Sequence, residues 1–146
     1  MNRSGMHSGL NQYKKIGVQG SVESASPHRL IQMLMEGALD KIFAAKGFME
    51  RGEVANKGEY ISWAISIIDG LRVSLDKNLD NDIVKNLDAL YEYMNACLLE
   101  ANVKNDPAKL DEVAGLMHEI KTGWDGIEDE TQQKTVTEQA RVRVGV

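Results

Sequence analysis

Residues 61–76 read ISWAISIIDGLRVSLD. Ile61, Ala64, Ile68, Leu71 and Leu75 recur at spacings of 3, 4, 3 and 4. That rhythm sets them along one side of an α-helix, which turns once in about 3.6 residues. The same period returns on both sides of this stretch, so the fold class follows from it.

Upstream, Ser26-Pro27 is a helix start: the serine hydroxyl caps free N–H groups, and proline fits the first helical position because its missing donor is not needed there. This first helix is expected to run to about Arg51, before Gly52. Downstream, Asp76 to Asp82 (DKNLDND) is rich in turn and capping residues, ending the second helix near Asp76 and opening a third. The third helix carries Ile83, Leu87, Leu90, Met94, Cys97 and Ala101 as its core row. Asp106-Pro107 opens a fourth, in which Leu110, Val113, Met117, Ile120 and Trp124 again step by 3 and 4, giving a span of about Pro107 to Trp124.

These elements predict an all-α fold, an antiparallel up-down four-helix bundle joined by short connections. Residues 25–125 form the bundle. Residues 1–24, glycine-bearing and with scattered apolar points, are expected to be an N-terminal arm that docks on it. Residues 126–146 are polar until the final valines and are expected to form a disordered, flexible tail.

Bulk properties narrow the function. With 146 residues the chain is the size of one domain, and 42% hydrophobic with only 2 prolines and 5% aromatics favours helices over strands. A formal net charge of −5 argues against nucleic acid or an anionic membrane surface as the main partner, because both recruit basic faces. No apolar run is long enough to span a bilayer and the first residues lack a signal-peptide apolar region, so a cytoplasmic location without membrane insertion is expected. The single Cys97 lies in an apolar helical pattern and is expected to pack as a small hydrophobe.

Catalytic and metal signatures are weak. Asp76, Asn78 and Asp80 resemble the opening of a calcium loop, but Asn81 stands where glycine is needed and Leu87 where a bidentate Glu is needed. The Glu-x-x-His pairs of di-metal bundles are missing, since Gly115 precedes His118 by three residues and Ala25 precedes His28. His118-Glu119-Ile120-Lys121-Thr122-Gly123 resembles the His-x-x-Lys-Gly segment of histidine phosphotransfer domains, with the glycine one residue late. A phosphotransfer role for His118 is the alternative reading; otherwise no enzyme activity, metal or cofactor is expected.

What stands out is surplus apolar surface. Leu30, Ile31, Met33, Leu34 and Met35 fan over about 200° of the first helix, and Tyr60, Trp63, Ile65 and Ile67 widen the second to a similar arc, whereas a bundle face needs little over 100°. Val84, Tyr91, Leu98 and Leu99 add to the third. Such groups suit an apolar groove open to a partner helix, and seven Met residues suit an adaptable one.

Three stretches carry a likeness: SVESASPHRLIQMLMEGALDKIFAA (21–45, after Tyr13), IIDGLRVSLD (67–76) and NLDALYEYMNACLLEAN (86–102). Together they resemble the flagellin export chaperone family, FliS, over about Tyr13 to Trp124. Met35-Glu36-Gly37 departs from the family's usual aromatic-Asp-Gly, and the turn after Asp76 lacks its usual glycines. The resemblance implies a cytoplasmic bundle that binds the disordered C-terminal segment of flagellin in apolar grooves, prevents premature polymerisation, and delivers its guest to the flagellar export gate. It also implies that the arm, with Tyr13 and Ile16, occupies part of the groove until the guest arrives. Candidate partner-binding residues are therefore Tyr13, Ile16, Leu30, Met33, Tyr60, Trp63, Ile67, Tyr91 and Leu98; a different helical adaptor is the neighbouring alternative.

Overall fold

Ser26 opens the first helix as expected. Its backbone is extended, its Oγ accepts from the Arg29 N–H at 3.1 Å, and Pro27 follows at the first helical position. The computed structural model describes residues 25–76 and 81–144, with side chains described as far as Ile127. Among the described residues the chain forms four helices: α1 (Pro27–Glu50), α2 (Val54–Val73), α3 (Asp82–Lys104) and α4 (Pro107–Val144). Tyr13, Ile16 and the rest of the expected arm lie outside the described residues.

Each junction has a physical cause. Between α1 and α2, Gly52 adopts φ +72°, a left-handed conformation that costs an L side chain but not glycine. The Asn81 side chain caps α3 by accepting from the Val84 N–H at 2.9 Å. Asn105 ends α3 at φ 53°, the left-handed cap that asparagine tolerates better than most residues. Asp106 then accepts from the Ala108 N–H at 3.0 Å and starts α4.

Cross-helix pairs fix the directions. Lys46 at the end of α1 meets Asp111 at the start of α4 at 2.9 Å. His28 at the start of α1 meets Trp124 far along α4 at 2.9 Å. Arg72 near the end of α2 meets Asp88 near the start of α3 at 3.1 Å, and Lys109 of α4 reaches back to Glu100 of α3 at 3.6 Å. Every neighbouring pair is antiparallel, with α1 against α2 and α4, and α3 against α2 and α4. This is the up-down four-helix bundle. No helix among the described residues is long and apolar enough to cross a membrane.

The core contains Met35, Ile42, Ile61, Ile68, Leu71, Met94, Leu98, Leu110, Val113 and Met117, each essentially without solvent exposure. Cys97 is buried among them, as its pattern suggested.

Two expectations about extent need correction. The fourth helix does not stop at Trp124: α4 continues to Val144. Once α4 is anchored, each further residue adds a hydrogen bond without a new nucleation step, and no proline interrupts residues 108–144. The 20 residues past Trp124 extend it by about 30 Å. Ile83, assigned to the core row, is 71% exposed. It precedes Asp88 by about one and a half turns. Asp88 already pairs with the last turn of α2, so that helix ends before it can cover Ile83.

Candidate functional site

Once the four helices have closed their interior, part of the apolar surface left over lies along the two seams that border α2. On the α1 side, Phe48, Tyr60 and Trp63 form a ladder, with ring centroids 5.0 Å apart for Phe48–Tyr60 and 5.5 Å for Tyr60–Trp63. Tyr60 and Trp63 are one turn apart on α2 and remain half-buried. The Lys41 ammonium sits 3.9 Å from the centre of the Trp63 ring, a cation–π contact of about 0.5–2 kcal/mol depending on desolvation. Desolvation by its surroundings lowers the Lys41 pKa, with Asp40 opposing.

The Trp63 indole N–H is buried without an acceptor. An orphan donor of this kind costs about 1–3 kcal/mol, recoverable only where its cover gives way to a carbonyl. On the α3 side of α2, Asn95 donates to Asp69 at 2.9 Å while its own Oδ1 is buried without a donor. Further along α3, Leu99 and Val103, one turn apart, are 57% and 84% exposed. Val54, at the start of α2, is 68% exposed. Both seams thus combine uncovered apolar side chains with an unmet backbone-like polar atom.

The expected partner-binding residues divide accordingly. Tyr60 and Trp63 come together on the α1–α2 seam, and Leu30 is half-buried near the start of α1. Met33, Ile67, Tyr91 and Leu98 do not lie on a surplus face: they are 4%, 1%, 2% and 0% exposed. Ile67, Tyr91 and Leu98 belong to the core cluster, and Met33 is buried apart from it. The reason is that each helix packs against two neighbours. On α3 the buried set Tyr91, Met94, Cys97, Leu98 and Ala101 spans about 120°, centred nearer α2 than the expected row. On α2, Ile67 falls at helical spacing on the side of Tyr60 and Trp63, whose rings meet Phe48 and Lys41 of α1.

Phe48, Lys41, Leu99, Val103 and Val54 were not among the expected contacts. Leu99 and Val103 carry a usable signal, since their spacing of 4 falls on the side of α3 opposite the core row. Phe48 carries none without knowing which face of α1 meets α2.

His118 is exposed, and its helical neighbour Lys121 is committed elsewhere, 2.7 Å from Asp125 and 3.8 Å from Glu36. That lysine is not placed to neutralise a phosphate on the imidazole. Gly123 has open space about it.

Residues 9–131 match the family model described as flagellar protein FliS. A Pseudomonas aeruginosa protein named flagellar secretion chaperone FliSB is 49% identical over 118 residues, covering 81% of this chain and 94% of its own. The flagellar secretion chaperone FliS of Vibrio cholerae is 41% identical over 133 residues, 91% of this chain and 98% of its own. The Salmonella typhimurium protein of the same name is 45% identical over 118 residues, 80% and 87%.

Proposed function

The chain belongs to the flagellar protein FliS family, and on that premise we propose that it is a cytoplasmic secretion chaperone for flagellin. It binds the disordered C-terminal segment of flagellin along the seams beside α2, keeps that segment from polymerising, and delivers it to the flagellar export gate. No covalent step is needed. A disordered segment gains affinity by burying apolar side chains on a preformed surface and gives part of it back in ordering, so capture and release are both equilibria.

The observation that carries this reading is the half-buried Tyr60–Trp63 ladder with its orphan indole N–H, faced across α2 by exposed Leu99 and Val103. Packing against the core leaves Tyr60 and Trp63 only partly covered, whereas an amphipathic guest helix supplies both the remaining apolar cover and a carbonyl.

Calorimetric titration with a flagellin C-terminal peptide tests it. Saturable binding with a negative heat-capacity change is the expected result, and Trp63→Ala should weaken it about tenfold or more. Absence of binding, or binding unaffected by changes at Tyr60, Trp63 and Leu99 together, would remove the reading.

A further inference from the structure

At the end of the bundle where α1 stops, α2 begins and α3 stops, a cleft of about 330 Å³ is lined by Met49, Val54 and Val103 on its apolar part and by Lys57, Asn102 and Asn105 on its polar part. Lys57 is a buried cation, 4% exposed. Its ammonium donates to the Asn102 carbonyl at 3.1 Å and to Asn105 Oδ1 at 3.0 Å. Both acceptors are neutral, and Lys57 makes no ion pair among the described residues. Glu53 also borders the cleft, but its carboxylate is held by Arg51 at 2.7 Å.

A buried ammonium is costly unless negative charge offsets it. The C-termini of α1 and α3 each contribute roughly half a negative charge, and the N-termini of α4 and of α2, on which Lys57 lies, each contribute roughly half a positive one. The four helix ends cancel, and the cleft keeps about one unit of positive charge beside aliphatic side chains. An ammonium has three N–H donors, of which two are used.

We infer that this cleft receives the terminal carboxylate of the guest chain. A chain end carries a carboxylate and a side-chain stem on one Cα, which matches Lys57 beside Met49, Val54 and Val103, and a cleft of this size needs no exit for onward chain. The assignment rests on the chaperone reading above and gives it polarity: the guest's last residue sits at the turn between α1 and α2, and the preceding residues run up the seams past Val103 and Leu99.

The test titrates the native chain with two flagellin C-terminal peptides that differ only in their end, a free acid and an amide. The acid should bind about tenfold more tightly, the scale of one partly desolvated charge-assisted hydrogen bond. Lys57→Met should erase the difference. Because that change also strips two hydrogen bonds from the end of α3, Val103→Glu serves as a second variant: it sets a carboxylate on the 84% exposed rim and should erase the difference without disturbing the fold. Equal affinity of acid and amide for the native chain overturns the inference and leaves the chaperone reading standing. A preference that survives in a folded Val103→Glu protein also overturns it, since the carboxylate is then bound elsewhere. If neither peptide binds, the chaperone reading falls and takes this inference with it.

Discussion

Trp124 lies flat on His28, with ring centroids 4.6 Å apart and planes 7° from parallel. Each ring also reaches the other residue's backbone: Trp124 Nε1–H donates to the His28 carbonyl at 3.0 Å, and His28 Nε2 to the Trp124 carbonyl at 2.9 Å. Beside them Gln32 donates to Asp125 at 2.7 Å, and Lys121 pairs with the same carboxylate. The start of α1 is thereby clasped to α4 at Trp124 and Asp125.

Trp124→Ala should therefore destabilise the fold by about 2–3 kcal/mol, below the full cost of a buried tryptophan because the ring is only half-covered. Urea unfolding followed by circular dichroism measures it. A loss under about 0.5 kcal/mol would mean that the clasp is ornamental.

Leu98 and Leu99 are adjacent in sequence and opposite in role, 0% and 57% exposed. Leu98→Ala should cost about 3 kcal/mol of stability. Leu99→Ser should leave stability within about 0.5 kcal/mol and instead weaken capture of the flagellin segment. Unfolding midpoints and peptide affinities of the two variants, measured side by side, separate these outcomes.

That pair also marks how far the sequence carries. The rows Ile61, Ala64, Ile68, Leu71 and Leu110, Val113, Met117 are interior as their periodicity requires, and the caps at Ser26, Asn81 and Asp106 start helices where capping chemistry places them. A helical wheel gives the angle between residues but not the direction of the neighbours. For this reason Tyr91, Leu98 and Ile67, about one residue's rotation from the expected row, read on the wheel as partner contacts and lie in the core. The wheel also ignores where a neighbouring helix ends, which left Ile83 miscast. Tyr60 and Trp63 were legible as site candidates because they lie on the flank of a clear stripe. Their partners Phe48 and Lys41 come from α1, and that pairing is tertiary information.

Burial pushes the Tyr91 phenol up from 10.0 to about 12. A raised folded-state pKa contributes stability that is whole below the unfolded value near 10 and is lost as pH rises toward about 12. Within that window Tyr91 should lower unfolding free energy with a slope approaching about 1.4 kcal/mol per pH unit. Tyr91→Phe should remove this part of the alkaline slope; matching slopes in the two proteins would show that Tyr91 ionises as freely folded as unfolded.

Lys41 shields one side of the ladder through its contact with the Trp63 ring. Lys41→Ala should cost stability by less than about 1 kcal/mol and alter the salt dependence of guest binding more than its strength. Peptide titrations at low and high ionic strength report the change, and an identical salt slope would place the lysine outside the binding surface.

The proposed guest covers the seam at Trp63. The chain has 2 tryptophans, so Trp124→Phe leaves Trp63 as the single indole reporter while an aromatic ring still rests on His28. Adding the flagellin C-terminal segment should shift its emission to shorter wavelength and shield it from a soluble quencher, as water is displaced and the orphan N–H finds a carbonyl. Saturating binding with no change in emission and undiminished quenching would exclude the Trp63 seam as the place where the guest sits.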